Sequence, residues 1–252
     1  MNPQRDQILK ELGLGPQWRL RQASADAVAE TPLAAPEVAP AAETAPPRRV
    51  VPAVATAVPA TITGGVVAGN MDWPTLATAV AECRACNLCS ARKQAVLGVG
   101  DQQADWLFVG EAPGAEEDER GEPFVGQAGK LLDAMLAAIE LKRSENVYIA
   151  NSVKCRPPGN RTPEPAETAA CWPYLERQIE LLQPKLIVAL GRPAAQTLLQ
   201  REVKIGAVRG QQFDYKGIPL IITYHPAYLL RNLTDKAKAW EDLCLARRIM
   251  GN

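Results

Sequence analysis

Short apolar runs alternate with longer segments of helical period through most of the chain. The apolar runs predict buried strands at residues 106–110, 147–150, 185–190 and 218–224, the last in a hairpin that starts near residue 213. Apolar residues at helical spacing predict helices at residues 128–141, 165–182, 193–200 and 235–249. Strands that alternate with helices indicate an α/β fold, with a central, mostly parallel sheet flanked by helices on both faces.

This pattern is missing before residue 71, where the chain divides into two further parts. Residues 1–21 contain one predicted short helix, which Gly15 and Pro16 end. Residues 22–70 hold no aromatic side chain and are rich in proline and alanine, so we expect a disordered linker. Residues 71–252 form the predicted globular domain, which begins with a helix that Asp72 can cap.

Three polar side chains of different chemistry follow predicted strands. Glu111 follows the first strand, Asn151 the second and His225 the last. Because ligands bind at the carboxyl ends of the strands in open parallel sheets, these side chains are expected to meet at one site. The alternative is structural: a single histidine is more often a structural residue, and Asn151 could bond its own backbone in a loop.

The segment between the first strand and the next helix is long and acidic. Residues 110–127 include Glu116, Glu117, Asp118 and Phe124 and give no strand or helix signal. Their glycine spacing fits neither a dinucleotide-binding turn nor a phosphate-binding P-loop. A loop of this length in a compact domain favours a functional role, whereas the alternative is a solvated acidic loop with Phe124 in the core.

Six cysteines predict metal or redox chemistry. Four of them form a C-x2-C pair and a C-x15-C pair, at Cys83, Cys86, Cys155 and Cys171. Thiolates in such pairs can hold zinc or an iron–sulfur cluster, and the spacing does not separate the two. Cys89 extends the first pair to C-x2-C-x2-C, so five cysteines compete for four positions, while Cys244 is expected to be a small buried residue of the final helix.

The formal net charge is zero, but the charges are unevenly distributed. Residues 101–140 carry ten acidic and two basic side chains, whereas residues 141–252 carry 17 basic and 10 acidic ones. A basic C-terminal half can supply a surface for phosphates, although ordinary solvated helix faces would explain the same charges. The chain starts without the apolar core of a signal peptide and has no run near the roughly 20 apolar residues that span a bilayer, so a cytoplasmic protein is expected.

Three segments carry a family resemblance: GEAPGAEEDERGEPFVGQAGKLLD (110–133), NSVKCRPPGNRTPEPAE (151–167) and HPAYLL (225–230). Together with the cysteine spacing they resemble the family-4 uracil-DNA glycosylases, the iron–sulfur branch of that superfamily. The resemblance covers roughly residues 73–250. It implies a three-layer glycosylase fold and removal of uracil from DNA by base flipping, which leaves an abasic site. It also implies a [4Fe–4S] cluster on Cys83, Cys86, Cys155 and Cys171.

The resemblance further implies roles in base recognition. Phe124 would stack on the flipped base, with Ala112 of the GEAPG turn beside it. The Asn151 amide, with one donor and one acceptor, would read the N3 and O4 edge of uracil. His225 would donate to O2, where negative charge grows as uracil leaves.

Other implied roles concern water, the DNA backbone and the base stack. Glu111 is the first candidate to orient the attacking water and Glu117 the second, unless Glu117 crowds the C5 methyl of thymine. Leu229 would be the wedge that fills the vacated stack, and Arg161 would meet a phosphate. The expected partner is uracil-containing DNA, single- or double-stranded. We expect a monomer whose N-terminal tail is a candidate docking segment for a protein.

One branch of the superfamily traps DNA covalently through a histidine in the loop where this chain has Gly159, Asn160 and Arg161. The absence of a histidine there argues against that chemistry. Two non-enzyme alternatives remain. The chain could instead be a zinc-stapled DNA-binding module. It could also be a degenerate paralogue that works as an interaction protein through its tail.

Overall fold

The computed structural model describes residues 68–251. The short helix predicted within residues 1–21 lies outside the described residues, as does the predicted linker except for its last three positions. None of the helices between residues 68 and 251 combines the length and the apolar character needed to cross a membrane.

Six strands form one mixed sheet. They are β1 (Val99–Gly100), β2 (Trp106–Gly110), β3 (Val147–Asn151), β4 (Leu186–Leu190), β5 (Gln212–Tyr215) and β6 (Ile218–Thr223). In the order β1-β3-β2-β4-β6-β5, the four central strands are parallel and the two edge strands are antiparallel to their neighbours. The prediction of a central, mostly parallel sheet is confirmed, whereas β1 was missed because two half-buried residues give no apolar run.

The α-helices of the described part of the chain lie on both faces of this sheet or at its edges. They are α1 (Trp73–Glu82), α2 (Ala115–Arg120), α3 (Gln127–Ala138), α4 (Pro165–Leu182), α5 (Arg192–Leu199), α6 (Ile205–Val208), α7 (Pro226–Leu229) and α8 (Lys236–Ile249). Short 3-10 helices lie at Asn87–Ser90, Pro158–Asn160 and Leu233–Asp235. The predicted helices are present with shifts of a few residues at their ends.

The prediction that residues 110–127 lack secondary structure is wrong, because α2 lies within them. The side chain of Glu117 accepts a hydrogen bond from the Gly114 N–H at 3.1 Å and closes the first turn. Gly121 ends the helix in a left-handed conformation, with φ +78°. A helix of six mostly acidic residues has no apolar face, so helical periodicity could not reveal it.

Side chains on the two faces of the sheet belong to two separate cores. Alternate strand residues such as Leu107 and Ile187 pack against α4 and α5. Their neighbours, such as Phe108 and Val188, pack on the opposite face in a core that includes side chains of α3 and α8. The fold is therefore a three-layer α/β/α sandwich.

A third, smaller core joins α1 to α4. It contains Leu76, Val80 and Tyr174 together with Cys155 and Cys171. As predicted, Asp72 caps α1, accepting a hydrogen bond from the Thr75 N–H at 3.0 Å. The helix ends at Glu82, so the first cysteines lie in the chain that follows it.

Candidate active site and cysteine cavity

A cavity of about 350 Å³ lies at the carboxyl ends of the central strands. The residues that the sequence singled out and that line it are Glu111, Ala112, Glu117, Phe124, Asn151, Arg161 and His225. These side chains come from three separate segments, residues 110–133, 151–167 and 225–230, brought together because parallel strands end at the same edge of the sheet. Leu229 does not line this cavity.

Asn151 ends β3 on the wall of this cavity and is 1% exposed. Its Oδ1 is buried and has no hydrogen-bond partner among the described residues. A Cβ on Gly110 would lie 2.4 Å from that oxygen and 2.6 Å from Cζ of Phe124, so only glycine leaves room for both side chains. A buried, unpaired acceptor on a cavity wall is suited to receive an N–H group of a ligand.

Phe124 is held in a left-handed conformation, with φ +56°, which is unusual for an aromatic residue. The guanidinium of Arg143 donates to the carbonyl of Pro123 at 2.9 Å and to that of Phe124 at 2.8 Å. The ring of Phe124 lies 5.5 Å from the imidazole of His225, with 29° between the planes. The surrounding contacts therefore fix an aromatic face next to His225.

The carboxylate of Glu117 is fully occupied by backbone donors. Besides Gly114, it accepts from the N–H groups of Val125 at 2.9 Å and Gly126 at 3.1 Å. These bonds hold the turn immediately after Phe124. Both oxygens of Glu117, the second candidate to orient a water, are therefore engaged in hydrogen bonds within the loop.

His225 immediately precedes α7 and caps it. Its Nδ1 accepts a hydrogen bond from the Ala227 N–H at 3.1 Å, which leaves the proton of the neutral imidazole on Nε2. Burial lowers the pKa of His225 to about 4; Arg231 acts in the same direction and Glu117 opposes it. The site therefore contains a neutral imidazole that can donate through Nε2 without carrying a charge.

We predict that the imidazole signals of His225 titrate near pH 4, not near the ordinary histidine value of 6.5. His225 is the only histidine, so an NMR titration reports on it without ambiguity. The pKa of His225 is lower in the folded protein than in the unfolded chain, so the unfolded chain takes up the proton at a higher pH. The free energy of unfolding should fall as pH drops from 6.5 towards 4 and should be unaffected by this group above 6.5. A titration near 6.5 would contradict this assignment.

Gly191 provides the space behind His225. It has φ +89°, and a Cβ there would lie 2.9 Å from Cβ of His225. We predict that Gly191→Ala displaces the imidazole and lowers the catalytic rate roughly 10- to 100-fold. Gly210→Ala is the matched control, because Gly210 has φ +71° and no atom within 4 Å of its added Cβ. Both rates are measured under single-turnover conditions. If the two variants lose the same activity, backbone strain and not displacement of His225 causes the loss.

Glu111 lies where the active-site cavity adjoins a second groove of about 490 Å³. Burial raises the pKa of Glu111, while a hydrogen bond to Thr162 and the charge of Arg192 lower it. Unlike Glu117, Glu111 is not held by backbone N–H groups through its carboxylate. It can therefore serve as a base of raised proton affinity at the cavity wall.

Two predicted DNA contacts are placed differently in the structure. Leu229 is 1% exposed and cannot enter a base stack from this position, whereas its neighbour Leu230 is 42% exposed. Arg161 forms a two-point ion pair with Glu167, at 2.7 and 2.8 Å, so its charge is already neutralised within the protein. The short helix α7 places Leu229 on its buried side. Leu230, one residue further along, lies on the exposed side.

A second, much smaller cavity of about 10 Å³ lies at the cysteines. Five cysteines line it, namely Cys83, Cys86, Cys89, Cys155 and Cys171. No three His, Cys, Asp or Glu side chains between residues 68 and 251 are arranged to enclose a single metal ion.

Hydrogen-bond donors point at three of these sulfurs. Arg92 donates to Sγ of Cys155 at 2.9 Å, the backbone N–H of Lys154 donates to Sγ of Cys171 at 3.2 Å, and that of Ala85 donates to Sγ of Cys83 at 3.5 Å. Burial raises the pKa of Cys171 to about 12, so its thiolate needs a cationic partner to form. Donors around buried sulfurs are the chemistry of a metal centre held by thiolates.

Sequence reasoning missed several residues that shape both cavities. Arg143 and Arg92 look like ordinary surface cations in the sequence, yet each holds a carbonyl or a sulfur far away along the chain. Lys154 lies within the segment 151–167 and is 1% exposed. Its place between the apolar Val153 and a cysteine is the one sequence signal that could have marked it as buried.

Comparisons with known proteins agree with this geometry. Residues 97–244 match the sequence profile of the uracil DNA glycosylase superfamily. The chain is 47% identical over 159 residues to a type-4 uracil-DNA glycosylase of Archaeoglobus fulgidus, an alignment that covers 60% of this chain and 79% of the relative. It is 47% identical to the type-4 enzyme of Thermotoga maritima, over 63% of this chain and 83% of the relative. It is 43% identical to the type-4 enzyme of Pyrobaculum aerophilum, in an alignment that covers 69% of this chain and 93% of the relative.

Proposed function

Since the chain belongs to the uracil DNA glycosylase superfamily, and within it to the type-4 uracil-DNA glycosylases, we propose how its own residues perform the reaction. The protein is a DNA-repair hydrolase that cleaves the N-glycosidic bond of uracil in DNA and leaves an abasic site. The observation that carries the proposal for the site is the unpaired, buried Oδ1 of Asn151 on the cavity wall. The comparisons do not favour either non-catalytic alternative.

Asn151 and Phe124 bind the flipped base. The Asn151 Oδ1 accepts from N3–H of uracil, and its Nδ2 donates to O4. Cytosine presents the reverse pattern at both atoms and would leave buried polar groups unpaired, which is costly. Phe124 stacks on the ring, and the small side chain of Ala112 leaves space at its edge.

His225 stabilises the leaving group. As the glycosidic bond breaks, negative charge develops on O2 of uracil, and the neutral Nε2–H donates to that oxygen. The Ala227 N–H holds the opposite nitrogen, so no reorganisation is needed during the reaction. The bond to O2 is stronger in the transition state than in the bound substrate, which is the condition for a rate effect.

Glu111 orients the water that attacks the cation-like sugar. Because its pKa is raised by burial, the rate should decline at acidic pH as Glu111, not His225, takes up a proton. Glu117 serves indirectly, by fixing the loop that carries Phe124.

Contacts with the DNA itself follow from exposure. Leu230 takes the role of wedge expected of Leu229, because it is 42% exposed and directly precedes Arg231, which lines the cavity. Arg161 can meet a phosphate only if it gives up its pair with Glu167. Arg231, which is exposed on the cavity rim, is a less committed cation for the same purpose.

A [4Fe–4S] cluster on Cys83, Cys86, Cys155 and Cys171 is the group that best suits the cysteine cavity. When bound, it supplies thiolate–iron bonds that tie the segment after β3 to α4 and to the chain after α1. Cys89 lines the same cavity but is outside the family spacing, so we assign it no bond to iron.

Cysteine substitutions should separate ligands from bystanders. We predict that Cys171→Ser removes the absorption near 400 nm and most of the soluble protein, because thiolate ligation is coupled to folding. Cys89→Ser is the matched control and should retain colour, iron content and solubility. If Cys89→Ser removes the absorption near 400 nm while Cys86→Ser does not, the assignment of Cys86 as an iron ligand is wrong.

We propose residues 71–252 as the catalytic unit; the linker expected over residues 22–70 lies outside the described residues except for its last three positions, and the short helix expected within residues 1–21 lies wholly outside them. The proposed substrate is DNA with uracil in single or double strands. We also propose that the enzyme acts as a monomer and that the N-terminal tail docks a protein partner.

The reaction is tested on an oligonucleotide with a single uracil and the full-length, iron-loaded protein. We expect release of free uracil and an alkali-sensitive abasic site at that position alone. Matched oligonucleotides with cytosine or thymine at the same position should stay intact. An intact uracil strand after long incubation would refute the proposed function.

A further inference from the structure

Lys154 lies between the two cavities without access to solvent. It stands three residues after Asn151 and directly before Cys155, and it is 1% exposed. A buried ammonium costs several kcal/mol unless other groups compensate its charge. The groups around it therefore decide what the lysine does.

The hydrogen-bond acceptors of the Lys154 ammonium are neutral. Its Nζ donates to the backbone carbonyl of Asn151 at 2.8 Å and to Oε1 of Gln178. Gln178 is fully buried and is oriented by its own Nε2, which donates to the Leu97 carbonyl at 3.0 Å and the Tyr148 hydroxyl at 3.2 Å. These bonds hold the ammonium in place but do not neutralise it.

Lys154 also lines the cysteine cavity, together with Cys155 and Cys171. Unlike the five lysines that form salt bridges between residues 68 and 251, Lys154 pairs with no carboxylate there. Its backbone N–H bonds to Sγ of Cys171 at 3.2 Å, so thiolates at Cys155 and Cys171 would lie close to its ammonium. A cluster held by four thiolates would place anionic ligands next to this cation.

We propose that Lys154 is a positioning residue that couples the cysteine centre to uracil recognition. Its ammonium is the buried counter-charge of the ligand thiolates, and its bond to the Asn151 carbonyl fixes the strand end that reads the base. This inference rests on the proposed roles of Asn151 and the four cysteines. It gives the metal centre a function in base recognition that needs no electron transfer.

Lys154→Met keeps the length of the side chain and removes its charge. In the holoenzyme we expect iron content and absorption near 400 nm to persist, and the reduction potential to become more negative because a nearby positive charge is lost. The single-turnover rate of uracil release should fall roughly 10- to 100-fold, since Asn151 is no longer held. DNA affinity should stay unchanged because the residue is buried.

Gln178→Glu is the companion variant: it keeps the shape of the side chain and can accept from the Tyr148 hydroxyl, but it loses the donor to the Leu97 carbonyl. It places a carboxylate beside the ammonium while the bond to the Asn151 carbonyl remains. The potential should again become more negative, but the rate should stay close to wild type. This variant also decides the electrostatic part of the proposal if Lys154→Met does not load iron.

Two results would overturn the inference. An unchanged potential in Gln178→Glu would show that the ammonium does not act on the thiolate site. A wild-type rate in iron-loaded Lys154→Met would show that it does not position Asn151. Neither result touches the proposed function, which fails only if the wild-type protein releases no uracil.

Discussion

Asn151→Asp should reduce uracil release by more than roughly 1000-fold, the largest effect expected from one substitution in the base cavity. A carboxylate at this position can accept from N3–H but cannot donate to O4. A carboxylate oxygen then faces O4 of uracil. Residue 151 is 1% exposed, so water cannot relieve the repulsion between the two acceptors. The same carboxylate accepts well from the amino group of cytosine, so weak release of cytosine should appear. Both activities are measured on oligonucleotides that differ at one base.

Asn160→Asp provides the matched control for this prediction. Asn160 lines the same cavity but is exposed, and its Oδ1 accepts from Arg156 at 2.7 Å. An aspartate there adds the same charge to the same cavity but gains an ion pair with Arg156, so the rate should stay near wild type. If both variants lose activity equally, negative charge near the DNA is the cause and Asn151 does not read the base.

His225→Ala should lower the single-turnover rate by about 100- to 1000-fold, which is typical for the loss of one donor to a developing oxyanion. The imidazole is neutral, so its removal takes away no charge that attracts DNA. Its ring packs against Phe124, with 5.5 Å between the ring centroids. The loss should therefore be confined to the transition state, and DNA affinity should hardly change. Tyr228→Phe is a suitable control, because that hydroxyl bonds only to Asp235 among the described residues.

The sequence predicted the strand ends well because buried parallel strands are short, continuous apolar runs. Residues 106–110 are buried along their whole length, and this burial produces the run WLFVG that identifies β2. Once such strands are placed, Glu111, Asn151 and His225 must share one edge of the sheet. Topology alone thus explains why the cavity was predictable.

Contacts between distant segments were not predictable in this way. Arg143 holds the Phe124 carbonyl across 19 positions, and nothing in either segment signals the partner. The acidic run around Glu117 looked solvated, since the backbone donors that bind it are visible only after the loop has folded back. Leu229 and Leu230 are chemically identical, so only the turn of α7 decides which one is exposed.

The measurement that tests the central claim most directly is the pair of single-turnover rate and DNA affinity for His225→Ala, on iron-loaded protein and the same uracil oligonucleotide. The claim is that a neutral imidazole, fixed by the Ala227 N–H, stabilises uracil as it leaves. It predicts a rate lowered by about 100- to 1000-fold with affinity near the wild-type value. A rate and an affinity that fall in proportion, or that both stay at wild-type values, would contradict it and leave His225 with a purely structural role.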